Sequence, residues 1–340
     1  MGVPAVLVAN PTAQSGRAEV WIERARHLLE QAGIGHEFLP TLADRGTIGA
    51  VRRAIDHGGA RLVIALGGDG TFADAAKGIL ASDAATETTL GLLPMGTAND
   101  QAKSFGMRTG FDALADNVDV LVRGRVCEMD VGRVQRLDEA DQVTGSDLFF
   151  DSMSIGLGAA VLAERNRDRE RVAEIPLVRA FYRDQLVYAG ALLKRLARVP
   201  TGRTTFRLEA EVDGEPPRVY DDVIDVIVKN TLVYGGEWVL APGGAADDGL
   251  FEMVPLCGLA DFGSKMVTAK VGSPIGEVEL EWLGITSTPP VPGKRFVLTV
   301  HQPGAAAPPA AQVDGEELPA GDRFRIDVLA RILRLMVPAA

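Results

Sequence analysis

The chain has 340 residues, of which 46% are hydrophobic and 24% are charged, as in an ordinary globular protein. Its length suggests about two domains, each with room for a core of its own. The net charge of −11 argues against general nucleic-acid binding, which needs a basic surface.

Cysteine usage and apolar segments bear on the cellular setting. Cys127 and Cys257 lie far apart without metal-type spacing, and so few cysteines fit a reducing cytosol better than a disulfide framework. The first residues lack signal-peptide features, and no apolar run approaches the roughly 18–20 residues of a membrane helix. We therefore expect a cytoplasmic protein whose membrane contact is peripheral.

Residues 1–124 alternate between strand and helix patterns. Apolar runs that end at Gly, Asn or Pro are typical of buried strands, and the segments between them have helical spacing. Such alternation predicts an α/β domain, a parallel sheet with helices on both faces. The predicted order is "AVLVAN" (strand), "AEVWIERARHLLEQAG" (helix), "HEFLPT" (strand), "GTIGAVRRAIDHGG" (helix), "RLVIALGG" (strand), "TFADAAKGILAS" (helix), "TLGLLPMGTAND" (strand, turn and helix start) and "FDALADNVDVLVRG" (helix).

The pattern changes near Gly124. Strand patterns separated by Gly, Pro and Asp turns follow, among them "RVCEMDVGRV", "SDLFFDSMSIG", "VYDDVIDVIVKN" and "KRFVLTV". We predict a second, mostly β domain over 125–321, interrupted by a largely helical insert at about 159–199. The apolar segment 322–340 is expected to pack back onto the first domain.

The stretch "LGGDGT" lies where a predicted strand meets a helix. Its glycines allow a tight turn and close approach to a ligand, and Thr71 can cap the helix and donate a hydroxyl to a phosphate. The loop lacks the lysine of a Walker A motif. Asp69 could hold Mg²⁺, which would reconcile a carboxylate with a polyphosphate ligand. The alternative is an ordinary Asp-Gly turn.

Two further loops follow strands in the same half. In "PMGTAND", Gly96 and Thr97 resemble the first loop, and Asn99 and Asp100 add an amide and a carboxylate. "NPTAQSG" (10–16) offers polar groups that can line a phosphate channel, although it can equally be a capped strand-to-helix turn. The carboxyl ends of parallel strands share one edge of a sheet, where ligands bind.

The acids of the β half are harder to interpret. "DDGLFEM" (247–253) is either a hairpin turn or a metal loop. "VDGE" occurs twice, at 212–215 and 313–316. Both copies can be Asp-Gly hairpin turns, and at most one is expected to be catalytic.

Taken in order, these motifs resemble the diacylglycerol kinase catalytic-domain lipid kinases, which include soluble bacterial diacylglycerol kinases, sphingosine kinases and ceramide kinases. The resemblance runs from about residue 3 to 338. The stretch "GGDGT" alone is shared with NAD kinases and is similar to loops of phosphofructokinases. The motifs are "NPTAQSG", "GGDGT", "PMGTAND", "MDVGRV", "SIGLGA", "KNTLVYGG", "APGGAADDGLFEMV" and "QVDGEEL".

The resemblance implies an N-terminal domain like that of NAD kinases and phosphofructokinases, a C-terminal β-sandwich, and an active site between them. It implies that Glu316, in the later "VDGE", is the general base, and that Glu215 belongs to a turn. It further implies ATP as co-substrate. The implied nucleotide-binding residues are Asn10, Pro11, Thr12, the following residues to Gln14, Thr41, Gly67, Gly68, Asp69, Gly70, Thr71, Phe72, Ala73, Gly96, Thr97 and Asn99.

Metal and partners also follow from the resemblance. Asp69, Asp100 and Asp130 match family acids tied to catalysis and metal organisation. A structural Mg²⁺ would be held by the Asp248 carboxylate with the backbone carbonyls of Ala245 and Leu250. The implied partner is a lipid at a membrane surface, with no nucleic acid, and the family includes homodimers.

Four positions depart from the family pattern. Ala73 and Asp74 replace an Asn-Glu pair, Gln101 replaces Phe or Leu, and Asp151 replaces Asn. Two alternatives therefore stay open: a soluble-substrate kinase of the NAD kinase type, and a non-catalytic nucleotide- or lipid-binding protein. Retention of Asp69 and Glu316 argues against the second.

A basic segment at 161–207 carries eleven Lys or Arg residues against five acids, interleaved with Leu, Val, Phe and Tyr. Such a combination can lie on an anionic membrane. It can equally form a solvated helix that covers the β domain.

Overall fold

A computed structural model describes residues 5–13, 18–163, 205–271, 273, 287–302 and 307–339. The strands are β1 Ala5–Ala9, β2 His36–Pro40, β3 Leu62–Gly67, β4 Thr89–Pro94, β5 Arg125–Leu137, β6 Val143–Phe149, β7 Ser152–Gly156, β8 Phe206–Val212, β9 Arg218–Lys229, β10 Phe251–Cys257, β11 Val291–Gly293, β12 Arg295–His301, β13 Ala311–Val313, β14 Glu316–Leu318 and β15 Arg323–Val337. The helices are α1 Ala18–Gln31, α2 Gly46–Asp56, α3 Asp69–Leu80, α4 Asp100–Ser104, α5 Leu114–Arg123 and α6 Gly258–Thr268.

The first half is a parallel sheet in the strand order β2-β1-β3-β4. Successive β1 side chains point to opposite faces. Leu7 packs in a core that includes Ile22 of α1. Val6 and Val8 pack in another that includes Val51 of α2. Helices thus cover both faces, as the alternating pattern predicts.

The second half is built from antiparallel strands. β9 pairs with β7, β8 and β10, and β12 pairs with β8 and β15. Their inward side chains form a core rich in aromatic residues, and this part of the fold is mostly β as predicted. Its buried aromatic members are Phe149, Phe206, Phe251, Phe296 and Phe324.

Strand β15 takes part in both halves. It pairs along its length with β5, and Arg334 and Leu335 pair in parallel with Thr89 and Leu90 of β4. Phe324 is buried in the core of the β half, whereas Leu335 is buried in a core of the α/β half. The predicted contact of this segment with the first half is therefore made by backbone pairing.

Three local predictions need correction. The stretch "SDLFFDSMSIG" is two strands, because the chain breaks between Phe149 and Ser152. Helix α3 begins at Asp69 after an N-cap at Gly68, so Thr71 lies in the first turn and is not the cap. Helix α6 was not predicted. Residues 157–163 are helical, and the rest of the predicted insert at 159–199 lies outside the described residues.

A buried carboxylate on β9 ties this strand to the start of the helical stretch 157–163. Oδ2 of Asp225 accepts a hydrogen bond of 2.5 Å from Gly158 N–H, and among the described residues Oδ1 has no hydrogen-bond partner. Burial raises the pKa of Asp225 to about 8, with backbone hydrogen bonds opposing the rise. The native protein therefore holds a proton that the unfolded chain has already released above about pH 4.

This linkage predicts a pH effect on stability. Because the folded pKa lies above the unfolded one, the contribution of Asp225 is fully present at low pH and is lost as pH rises toward 8. Between about pH 4 and 8 the free energy of unfolding should fall by roughly 1.4 kcal/mol per pH unit from this group. Asp225→Asn should remove that slope in denaturant titrations, whereas Asp221→Asn, at an exposed carboxylate, should not. Parallel pH slopes in wild type and Asp225→Asn would contradict the assignment.

Candidate functional site

Two glycine loops lie side by side at the carboxyl edge of the parallel sheet. The Met95 N–H donates to the Gly67 carbonyl at 2.7 Å. A Cβ added to Gly96 would lie 2.4 Å from the Gly68 Cα, so a side chain there would force the loops apart. Glycine is needed here because the two backbones touch.

Asp69 and Asn99 join these loops. The Asn99 N–H donates to Asp69 Oδ2 at 2.9 Å. Asn99 has a left-handed φ of 54°, and its amide both accepts from Gly96 N–H and donates to the Gly96 carbonyl. The Asn99 side chain therefore closes its own turn and shapes the loop that carries Gly96.

The other predicted nucleotide residues follow the neighbouring strands β1 and β2. Asn10 Oδ1 accepts hydrogen bonds from the Thr12 N–H and hydroxyl, both at 2.9 Å. The Thr41 N–H donates to the Ala9 carbonyl. Pro11 is half-buried and Thr97 is exposed. Four adjacent parallel strands thus end in the loops assigned to the nucleotide, while Gln14 lies outside the described residues.

Asp100 links the two halves of the molecule. Its carboxylate accepts hydrogen bonds from the Gly235 and Gly236 N–H groups at 2.8 and 2.6 Å. On the same short helix, Lys103 donates to the Gly236 carbonyl, and the Ser104 hydroxyl accepts from Val233 N–H. Asp100 therefore fixes the loop after β9 against the loop after β4.

Asp130 has a similar role on β5. Its carboxylate accepts from the Gly249 N–H at 2.6 Å and from the Arg331 N–H at 2.7 Å. Arg331 has a left-handed φ of 57° and lies where the β15 register shifts. Asp130 thus holds the "DDG" loop onto β15.

A buried ion pair lies between these acids, and the sequence did not reveal it. Lys229 Nζ lies 2.6 Å from Asp151 Oδ1, and both side chains are almost fully buried. Asp151 also accepts from the hydroxyls of Ser152 and Thr231. The partners are on β9 and just before β7, so no local pattern relates them.

The two "VDGE" copies form the same turn but bind different partners. Asp314 and Gly315 have left-handed φ values of 46° and 82°, as Asp213 and Gly214 have 54° and 81°. Asp314 is half-buried as a residue, but its carboxylate is enclosed and accepts from the N–H groups of Phe150, Asp151 and Ser152. The hairpin of β13 and β14 is thereby anchored to the break between β6 and β7.

Glu316 follows this turn and faces the α/β half. Its side chain is 45% exposed, and Oε2 lies 3.3 Å from Arg45 Nη2. Asp74 of α3 is close enough that the Glu316 charge, after burial, raises the Asp74 pKa. The structure therefore brings the predicted base to the edge that carries the glycine loops.

Crowding of acids changes their proton affinity. Burial first, and then the Asp151 charge, raises the pKa of Asp69 to about 6 and that of Asp100 to about 7. The same two causes raise the pKa of Asp314 to about 7. Such a concentration of negative charge favours a cation at this junction.

The "DDG" loop offers only oxygen donors to a metal. The exposed Asp248 carboxylate accepts from the Leu250 N–H at 2.9 Å. Glu252 is buried nearby, and burial followed by the Asp248 charge raises its pKa to about 7. Carboxylate and carbonyl oxygens suit Mg²⁺, so Asp248 with the carbonyls of Ala245 and Leu250 fits the implied ion. Within the described residues no group of three acid, His or Cys side chains forms a metal cluster.

Gln101 is an unusual residue beside the loops. It is 1% exposed, and in the part of the chain that the structure describes neither its amide oxygen nor its nitrogen has a hydrogen-bond partner. It lines a cavity of about 10 Å³ together with Gly68, Asp69 and Phe72. Burying an amide without hydrogen bonds lowers the free energy of unfolding, so an apolar side chain of similar size would pack here at less cost.

Comparison with known proteins shows which family model and which relatives this chain is similar to. Residues 4–134 match the family model described as the diacylglycerol kinase catalytic domain. The chain is 31% identical over 203 residues to a Pseudomonas fluorescens protein named probable lipid kinase YegS-like. The aligned region covers 60% of this chain and 57% of that protein. It is 29% identical over 262 residues to the diacylglycerol kinase of Bacillus subtilis, covering 75% of each.

Solved structures agree on the fold. A crystal structure of a diacylglycerol kinase from Bacillus anthracis has a TM-score of 0.65, covering 98% of this chain and 96% of that chain at 17% identity. Yeast NADH kinase complexed with NADH has a TM-score of 0.53, covering 99% and 84% at 11% identity. At these identities the likeness shows the fold alone, an α/β domain followed by a β-rich one.

The resemblance seen in the motifs is therefore confirmed: residues 4–134 match the diacylglycerol kinase catalytic domain, and the relatives are named probable lipid kinase and diacylglycerol kinase. The chain spans 57% of the length of the Pseudomonas relative and 75% of the Bacillus one. Within the described residues, no helix is both long and apolar enough to cross a membrane.

Proposed function

We propose that the protein is an ATP-dependent lipid kinase that phosphorylates a hydroxyl of a lipid such as diacylglycerol. The observation that carries this proposal is the position of Glu316, which extends from the β half to Arg45 beside the nucleotide loops. Relatives named as lipid kinases and diacylglycerol kinase support the same reaction.

In this reaction the lipid hydroxyl oxygen attacks the γ-phosphorus of ATP, and the bond to the β-phosphate oxygen breaks to release ADP. Glu316 accepts the proton of the attacking hydroxyl. N–H groups of the loops at Gly68 and Gly96 bind phosphate oxygens, and Thr71 donates its hydroxyl. Mg²⁺, held with help from Asp69, would neutralise charge on the transferred group.

The chain's own packing keeps these groups in place. Asp100 fixes the loop of Gly235 and Gly236 against α4, and Asp314 anchors the turn that carries Glu316. Phosphoryl transfer depends chiefly on such positioning, since the enzyme forms few covalent bonds in it.

The direct test is ATP turnover with a panel of acceptors: diacylglycerol, sphingosine, ceramide and NAD. Lipids are presented in neutral and in anionic vesicles, and labelled products are identified. We expect a phosphorylated lipid, with more protein sedimenting with anionic vesicles. Phosphorylation of NAD alone would support the soluble-substrate alternative, and ATP binding without turnover would support the non-catalytic one.

The same experiment addresses location and assembly. We propose peripheral membrane contact; residues 164–204, which make up most of the basic segment, lie outside the described residues. A homodimer stays a prediction, to be read from the mass of the purified protein in solution.

A further inference from the structure

The loop between β2 and α2 contains two consecutive residues in an uncommon backbone conformation. Asp44 and Arg45 have left-handed φ values of 54° and 59°. Residues other than glycine rarely adopt such values, so the surrounding structure must stabilise this conformation.

Neighbouring contacts hold the loop in this shape. The hydroxyl of Thr47, which is fully buried, accepts from the Leu42 N–H at 2.9 Å and donates to the Leu42 carbonyl at 3.2 Å. The Gly46 N–H donates to the Ala43 carbonyl. These hydrogen bonds hold the backbone of the loop, and the backbone in turn sets the direction in which the Arg45 side chain leaves it.

That direction places one guanidinium nitrogen between two carboxylates. Arg45 Nη2 lies 3.0 Å from Asp147 Oδ2 and 3.3 Å from Glu316 Oε2. Asp147 is itself fixed, because Lys77 Nζ lies 2.8 Å from its other oxygen and its side chain is only 12% exposed. Glu316 is much more exposed, so its orientation depends on Arg45.

We propose that Arg45 is a positioning residue for Glu316: it holds the carboxylate toward the nucleotide loops, where the attacking hydroxyl would be. The inference rests on the proposed function, because it assigns Arg45 a part in the same reaction. Arg45 bridges the α/β half to both β6 and β14, so it also orients the base relative to the strand edge.

Charges around Glu316 make this cation necessary. Asp74 on α3 and Asp147 on β6 lie near Glu316, and their negative charges repel its carboxylate. Arg45 and Lys77 are the cations placed beside these acids in the described part of the chain. Lys77 contacts Asp147, whereas Arg45 contacts both Asp147 and Glu316 and so holds the two carboxylates together.

The test compares kcat and the KM for ATP of Arg45→Ala, Arg45→Lys and wild type. Without the guanidinium the Glu316 carboxylate is no longer held in one orientation, so kcat of Arg45→Ala should fall while the KM for ATP stays unchanged. Misplacement of a catalytic group that still binds its substrate supports a loss of about tenfold in kcat. Arg45→Lys should recover most of it.

Arg52→Ala is the matched control. Arg52 is similarly exposed on α2, and its guanidinium pairs with Asp56 at 3.1 Å, so its removal should leave kcat unchanged. An unchanged kcat in Arg45→Ala would overturn the inference. So would a raised KM for ATP with an unchanged kcat, since Arg45 would then be a nucleotide ligand.

A readout that needs no activity separates this inference from the proposed function. Arg45→Ala, Glu316→Gln and the double variant form a thermal-unfolding cycle. We expect the double variant to lose less Tm than the two single losses together, because both remove one contact. Additive losses would overturn the positioning role. An inactive wild type would refute the kinase proposal, while the cycle would still test the pair.

Discussion

Glu316→Gln is expected to lower kcat by about 10²–10⁴-fold while ATP binding stays close to wild type. The amide keeps the size of the side chain but accepts no proton from the attacking hydroxyl. Glu316 is 45% exposed and is not part of a core, so the fold should persist. Turnover with the lipid acceptor and ATP binding by calorimetry check both halves of the prediction.

Glu215→Gln provides the control, because Glu215 occupies the same place in the other "VDGE" turn. Its turnover should equal that of wild type. Near-normal turnover in Glu316→Gln would remove Glu316 from the role of general base and leave the reaction without an assigned proton acceptor.

Asp314→Ala should destabilise the protein by about 3–5 kcal/mol. Three backbone N–H groups donate to this buried carboxylate, and its loss leaves them without a partner. Denaturant titration near pH 5 is appropriate, because the pKa of Asp314 is raised to about 7, so that the contribution of this group to the free energy of unfolding is largest at low pH and is lost as pH rises toward 7.

Asp213→Ala is the comparison for this stability effect. Asp213 forms the same turn and accepts from the Lys294 and Arg295 N–H groups, but in an exposed setting where water can replace the lost carboxylate. We expect a loss of about 1 kcal/mol. Equal losses in the two variants would show that the turn, and not the buried anchoring, sets the stability.

The two "VDGE" turns show which features could be predicted from the sequence and which could not. Both were predicted as Asp-Gly hairpins, and both have that geometry, because the positive φ at Asp and Gly is a local property. What distinguishes Asp314 from Asp213 is a partner about 160 residues away in the chain. Only the resemblance to a family singled out the later copy.

The α/β half was predictable because its signals are local. Apolar runs such as Ala5–Ala9 and amphipathic segments such as Ala18–Gln31 reveal their structure by composition and spacing. Parallel strands then bring the loops at Asn10, Thr41 and Gly67 to one edge without further information. The roles of these residues toward a nucleotide stay predictions.

Contacts across the chain were not predictable in this way. Asp151 attracted notice as a departure from the family, but its partner Lys229 carried no signal in the sequence. Arg45 was one of several arginines in an ordinary loop until its φ angle and its two carboxylate partners were known. The partner of a buried charge is set by the three-dimensional fold, because the two residues lie far apart in the sequence. Spacing along the sequence therefore does not reveal such a pair.

Strand β15 has a consequence for how the molecule reaches its native state. It pairs with β4, β5 and β12, which lie in separate regions of the chain, and supplies side chains to the cores of both halves. Until it docks, those strands keep unpaired edges and exposed apolar surface, the features that favour misassembly. Because docking of β15 closes long stretches of chain, we expect it to be a slow, late step of folding that stabilises both halves at once. Release of β15 is then expected to unfold both halves together.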